Sequence, residues 1–376
     1  MRTAAGLWPL DISIQFCCFG DFKMERRRSQ MMKIRSLKPA SHIPAIRLAT
    51  LLSTSLILVT NCGAAHAQAG ADKPVMLVTW FGPGAIALPR GDDWKPEMLT
   101  VYDNIQRPVA QYTKGGDGRH VSFIVFENHS GKPTSEGCRE DAINPILEHE
   151  AKLISERADG EVKNTDGVML ATITYLLDMS LGGGPHQRNL FGFAGNSKTC
   201  AEIHISGTAG TPQEQAAMSA VLAEFHPDLS YQPTASDYFT LASLLFKGSP
   251  GLAAPYYKAS LDAMPDGAKF LTARRVTTDQ LVLSLGMSGD LKNSRAVAMM
   301  AIAADPDYPL NYYNLACADA EEGNAAEAKT HLQQAFDRRA NVLKGESMPD
   351  PSKDDSILKL KKDKAFWSFV LTLPGR

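Results

Sequence analysis

A repeat constrains this chain more than any other feature. Gly289 and Gly323 lie 34 residues apart, each between two stretches whose apolar residues recur at helical spacing. Asp305-Pro306 closes the earlier unit just before Tyr312-Tyr313-Asn314-Leu315-Ala316 opens the next. A single helix pair of this kind cannot bury its apolar side, so pairs must stack and the core must run along the stack. From Ser236 onward alanine and leucine rise and every segment is helical in period, which puts a boundary near Tyr231-Gln232-Pro233.

The unit at 309–342 carries Tyr312, Leu315, Ala316, Gly323, Ala328, Leu332 and Ala335. Their order of large, large, small, turn glycine, small, large, small resembles the tetratricopeptide (TPR) family, in which alanines let two antiparallel helices approach closely. An earlier unit at 275–308 keeps Leu281, Leu285, Gly289, Ala298, Ala301 and Pro306 but has Ser294 at a usual alanine. A first unit at 235–267 keeps Gly248, Ala253, Tyr257, Ser260 and Pro265. It departs at Asp237, an aromatic position in the family, and at Thr240, and an insertion at Asp266–Thr272 follows it. The resemblance implies a protein or peptide partner held on the exposed side of the first helix of each pair. That nominates Tyr313, Asn314, Cys317, Asp279 and Leu283; the plain alternative is that these residues pack against the next unit. Residues 350–373 are helical in period and read as a helix capping the open end of the stack, with Lys359, Lys361, Lys362 and Lys364 as its wet face. A membrane-surface helix is the other reading of that segment.

Upstream of the repeats the pattern is mixed. Residues 74–80, 120–127, 168–177, 189–194 and 200–206 read as strands, the last alternating Ile203 and Ile205 with Glu202, His204 and Ser206 on a face expected to be in water. The glycine clusters at 115–118 and 182–184 read as turns, which favours an antiparallel meander. A helix is expected within Cys138–Ser155, its regular part starting at Pro145, and another over Pro212–Phe225 with Thr211 as N-cap. This order, with Leu88-Pro89 and Trp94, resembles the PsbP-like domains, which implies an α/β/α sandwich and no catalytic motif. The fold class is therefore α+β: an antiparallel-sheet sandwich at 73–230, then an all-α TPR-like array at 235–376.

Residues 1–67 form the third part. After Met32, a basic stretch precedes the uncharged run Leu48–Thr60 and Ala65-His66-Ala67, a signal-peptide pattern with cleavage expected after Ala67. The run is shorter than the ~20 residues a membrane span needs. Cys62 allows a lipid anchor instead, although Asn61 is a poor residue before a lipidated cysteine. Translation is expected to start at Met24, Met31 or Met32, leaving Cys17, Cys18 and the run Arg26–Arg28 without a role. The net charge of -2 combines a basic leader, with 9 Lys/Arg against 3 Asp/Glu, and a remainder at -8. That remainder is unsuited to nucleic acid or anionic lipid. Export permits disulfides, and Cys138 with Cys200 is the expected pair, Cys317 being left as a buried core residue. The expected location is periplasmic or secreted.

No chemistry stands out. The histidines form no His-x-x-x-His and the cysteines no Cys-x-x-Cys, so a metal has no local ligand pair; His204 with Glu202 is the one weak candidate. Neither Gly-x-Ser-x-Gly nor a phosphate loop occurs. No cofactor and no enzymatic activity are expected. The leading expectation is an exported binding or scaffold protein working through the repeats. Its alternatives are a small-ligand, metal or hydrolytic site in the α+β region near His204, Glu202 and Arg188, or an envelope protein that oligomerises through the repeats.

Overall fold

The computed structural model describes residues 76–88, 94–101, 108–114, 119–178, 186–208 and 211–374. The expected leader, with Ala67 and Cys62, lies outside them, as do the glycine turns at 115–118 and 182–184. Two short strands, β1 (Met76–Leu77) and β2 (Ala85–Ala87), open the described chain. Next come β3 (Trp94–Val101), β4 (Pro108–Lys114), β5 (Arg119–Glu127) and helix α1 (Ser135–Glu150). The antiparallel run β6 (Ile154–Lys163), β7 (Met169–Leu177), β8 (Gln187–Gly195) and β9 (Thr199–Thr208) is the expected meander, extended by β6. Helix α2 (Pro212–Ala223) and β10 (His226–Asp228) complete this half.

The large sheet has the order β3-β4-β5-β9-β8-β7-β6 with every neighbour antiparallel, and β10 joins β2 and β1 in a smaller sheet. One face of the large sheet buries Ile124, Phe126, Ile173, Phe191 and Phe193 against Cys138 and Ile143 of α1. The other buries Val121, Phe123, Leu190, Ile203 and Ile205 against Met218, Val221 and Leu222 of α2. This is a sandwich with one helix on each face. Strand β8 admits both helices because it lacks side chains where they arrive. A Cβ on Gly192 would lie 2.3 Å from Leu222 of α2, and one on Gly195 would lie 2.3 Å from the Cys138 sulfur of α1.

Helix α1 starts ten residues before the expected Pro145, because the Thr134 side chain accepts from the Gly137 amide (3.1 Å) and caps it there. Pro145 lies inside the helix, and Ser155 is already in β6. Helix α2 begins as expected, with Thr211 and Glu214 in a reciprocal capping box and Pro212 in its first turn. Cys138 and Cys200 are joined by a disulfide with Cα atoms 5.6 Å apart, tying α1 to β9.

Helices α3 (Ala235–Phe246) and α4 (Pro250–Ala263), α5 (Leu271–Met287) and α6 (Leu291–Ala304), and α7 (Pro309–Glu321) and α8 (Ala325–Asp337) are three successive pairs, each helix packed on the next. This is the TPR-like array. Gly289 and Gly323 have φ values of 86° and 82°, and the amides after them reach back to Leu285 (2.9 Å) and Asp319 (2.8 Å), which closes the two helix ends in the same way. Tyr312, Leu315, Ala316, Ala328, Leu332 and Ala335 are all buried. Ser294 stands in for alanine at no cost in polarity, since its hydroxyl donates to the Val282 carbonyl (3.0 Å). Asp237, the departure in the first unit, caps α3 together with Thr234. The insertion forms a short turn at Ala268–Phe270.

The end of the array is closed by two short helices, α9 (Asp355–Leu358) and α10 (Lys364–Val370), where one longer helix was expected. Asp354 and Asp363 each accept two backbone amides and so begin a new helix. Ile357, Leu360, Phe366, Val370 and Leu373 fill the core against Leu332 and Phe336. Each is worth about 2 kcal/mol of burial. Their burial overturns the membrane-surface reading, while Lys359, Lys361, Lys362 and Lys364 are exposed as expected.

Pro74–Arg376 is one compact unit, because β1 and β2 serve two cores. Leu77 and Ile86, paired across this ribbon, point into the sandwich, whereas Val78 and Ala85 pack on Tyr238, Leu241 and Tyr256 of α3 and α4. Thr79 follows, fully buried. Its hydroxyl donates to the Val125 carbonyl (2.6 Å) and accepts from the Val125 amide (2.7 Å), and its own carbonyl accepts from the Tyr256 hydroxyl (2.8 Å).

Thr79→Val should lower stability by about 1–3 kcal/mol in a denaturant titration, since it strands two backbone groups of β5. Cys138→Ser with Cys200→Ser should cost roughly 2–4 kcal/mol, and a reducing agent should produce the same loss in the unaltered chain.

Candidate functional site

The nominated residues lie on the first helices of the second and third pairs. Asp279 and Leu283 sit one turn apart on α5, and Tyr313, Asn314 and Cys317 occupy adjacent turns of α7. The structure brings four of the five into two polar clusters. Asn314 donates to Asp279 (2.7 Å). The Tyr313 hydroxyl donates to Asp354 (3.2 Å), which the Cys317 thiol also meets (3.7 Å). Leu283 is half-buried with no polar group to contribute.

This face is occupied by the chain itself. The segment after α8 runs back across α7, placing Glu346 on the Tyr308 hydroxyl (3.0 and 3.2 Å), Met348 on the terminal core and Asp354 on Tyr313. Tyr308, Glu346 and Asp354 were absent from the sequence-based set. A signal for them does exist: Glu346, Asp350 and Asp354 recur every four residues through Met348-Pro349-Asp350-Pro351, a stretch whose prolines forbid a helix.

The electrostatics are unusual because carboxylates converge without cations. Asp279 is 5% exposed; burial, aided by the charge of Glu346, pushes its carboxyl up to about 7 against the opposing hydrogen bond from Asn314. Burial likewise raises Asp354, although its bonds from Ile357, Tyr313 and Ser356 oppose the shift. Arg275, one turn before Asp279, is engaged elsewhere: it grips Asp305 with two bonds (2.6 and 3.0 Å) and lies 5.0 Å over the Tyr308 ring. Burial and the neighbouring Asp354 hold the Cys317 thiol well above its usual range, so no thiolate nucleophile is available. A second buried acid, Asp319, is by contrast matched by Arg295 (2.7 Å) and His331 (2.5 Å), which pins α6, α7 and α8 together.

The sheet candidates do not converge. His204 and Glu202 share a strand face with Cys200 and so lie on the side covered by α1, not on a face in water. The His204 ring lies flat on Phe191 at 4.0 Å and its Nε2 meets the Asn189 side-chain oxygen at 2.9 Å. Burial lowers its pKa to about 4 and raises Glu202 to about 7. Arg188 precedes Asn189 on β8, hence points to the opposite face, where it pairs with Glu156. Among the described residues no group of three His, Cys, Asp or Glu could hold a metal ion.

An open cleft of about 610 Å³ lies where the β1–β2 loop meets α3 and α4, lined by Phe81, Pro83, Pro233, Tyr238 and Pro255. Its only paired charges are Lys258 and Asp262, bonded to each other at 2.6 Å. That lining holds no nucleophile with an adjacent base.

No family model matches the chain, and no curated protein matches it. Among solved structures the chain is similar to the TPR domain of Sgt2 from Aspergillus fumigatus, with 15% identity and a TM-score of 0.28 over 39% of this chain and 88% of that one. It is also similar to the C-terminal TPR-containing domain of an FK506-binding protein from Plasmodium falciparum (20% identity, TM-score 0.27, 35% and 91% covered). A multi-domain immunophilin from Arabidopsis thaliana is a third such structure (10% identity, TM-score 0.25, 66% and 99% covered).

Asp279→Asn tests the buried acid. A carboxyl whose pKa is raised by folding favours the native state below its unfolded value near 3.8, and that contribution is lost as pH rises through about 7. The unaltered protein should therefore lose stability across that window. In Asp279→Asn the loss should be smaller, and the variant should be the more stable of the two at pH 8 in parallel thermal melts.

Proposed function

We propose that the protein is an exported, non-enzymatic scaffold whose helical repeats hold an extended segment of a partner protein, with a PsbP-like sandwich as their rigid support. One observation carries this reading: the first-helix face of α7 already receives an irregular stretch of polypeptide through the side chains of Tyr308, Tyr313 and Cys317. Tyrosines suit such a role, since each offers apolar area and a polar tip at little conformational cost. The signal-peptide pattern supports export to the periplasm or medium, with a lipid anchor at Cys62 as the variant of it. The Cys138–Cys200 bond agrees with an oxidising compartment. The absence of enzymatic activity is part of the proposal and is supported by the raised Cys317 thiol and the divergence of His204 from Arg188.

The test places a photo-crosslinking residue at Leu283 in the full chain, with the exposed Met300 of α6 as control. Irradiation in the host should give a discrete adduct with a second polypeptide from position 283 and none from 300. No adduct at 283, or the same adducts from both positions, would sink the reading.

A further inference from the structure

The segment that covers the first-helix face is built differently from the helices around it. Among the described residues, no backbone hydrogen bond ties 342–353 to α5 or α7; its backbone bonds are internal, from Glu346 to Leu343 (2.9 Å) and from Lys353 to Asp350 (3.0 Å). It is held by the Glu346 side chain on Tyr308, the partial burial of Met348 and the burial of Pro351. Neither Glu346 nor Asp354 has an ion pair among the described residues, and Asp279 adds a third carboxyl beneath them. Half-buried carboxylates without a cation keep part of their desolvation cost even when hydrogen-bonded, as Glu346 is by Tyr308 and the Leu343 amide, so this contact is weak for the surface it covers.

The segment is also free to lift while its ends stay in place. Upstream, Asn341 is anchored on the Asp307 carbonyl (3.2 Å). Downstream, Ile357 and α10 are locked in the terminal core. Gly345, at φ 91° with open space around it, and the prolines at 349 and 351 break any regular structure between these anchors.

We propose that residues 342–353 are a displaceable occupant of the partner site, while Asp354 stays as the cap of α9, and that the partner in trans is an extended acidic segment presenting a carboxylate to Tyr308 as Glu346 does. The isolated chain is then closed, and an incoming partner must compete with a tethered copy of its own chemistry. Tethering gives the internal segment a high effective concentration, so a free peptide of equal intrinsic affinity binds the closed chain poorly. This inference rests on the scaffold reading above.

The experiment uses the full chain and a fluorescent peptide with the sequence of residues 342–355. Glu346→Ala with Met348→Ala loosens the segment and leaves α9 and α10 intact. That variant should bind the peptide at least tenfold more tightly than the unaltered chain. Adding Tyr308→Phe should remove most of the gain, and a peptide with alanine in place of Glu346 should bind at least tenfold more weakly. Equal binding by the two chains, no binding by a variant that still melts cooperatively, or tighter binding of a peptide with lysines at the acidic positions would each overturn the proposal. Should the variant not fold, the native chain cut by trypsin at the exposed Lys344 and Lys353 replaces it. Resistance of both sites, or a nicked chain without the gain, would count against the proposal equally. A crosslink from Leu283 that survives such a failure would leave the scaffold reading standing, whereas loss of both results removes both.

Discussion

Thr79 holds this structure together. Its side chain completes the ladder of a central strand, and its backbone carbonyl receives a tyrosine from the helical half, so one residue is a member of both halves. The ribbon around it makes the same connection in apolar terms, with Leu77 and Ile86 on one side and Val78 and Ala85 on the other. A two-stranded ribbon is not stable alone. Here it is stable because each face is completed by a different partner. The first helix pair, in turn, finds on the ribbon the apolar cover that a stack of repeats needs at its outer end. The opposite end is covered by α9 and α10, so both ends of the array are capped by unlike devices.

Between those caps the array contains two buried acids with opposite treatments. Asp319 is matched by an arginine and a histidine from neighbouring helices and works as a fixed joint. Asp279 has the neutral amides of Asn314 and Gln280, and the nearby Arg275 is committed to Asp305. The difference separates a structural position from one whose charge is unresolved in the closed chain. It also sets the first-helix face apart from an ordinary packing surface, where an apolar residue of similar size would serve at lower cost.

Much of this was readable from residue patterns. The turn glycines at 289 and 323 and the buried alanines of the third pair announced themselves, because in each case a local rule and the tertiary environment agree. The Cys138–Cys200 pair was expected because both cysteines fall in the α+β region while Cys317 lies among the repeats. What escaped had no periodic signal. Strand β6 is exposed along nearly its whole length and is held by backbone pairing to β7 and by ion pairs from Arg139 and Arg188, so its polar sequence does not alternate. The start of α1 depends on a single threonine cap that outweighs the proline downstream. His204 looked wet because its strand alternates, yet alternation assigns faces without saying which is covered, and α1 covers this one. The closed first-helix face was hidden for a related reason: a repeat pattern describes contacts between neighbours, while the covering segment returns from beyond the last pair.

The ribbon also bears on the order in which the molecule can be assembled. A chain that emerges from its N-terminus presents Val78 and Ala85 early, and the side chains that cover them, Tyr238, Leu241 and Tyr256, arrive only after the whole sandwich has been made. The sandwich can close on Leu77 and Ile86 in the meantime, but it must do so with an apolar strip still wet on its outer edge. Completion of the first half thus waits on the second, and an interrupted chain would carry a sticky edge that the finished protein never shows.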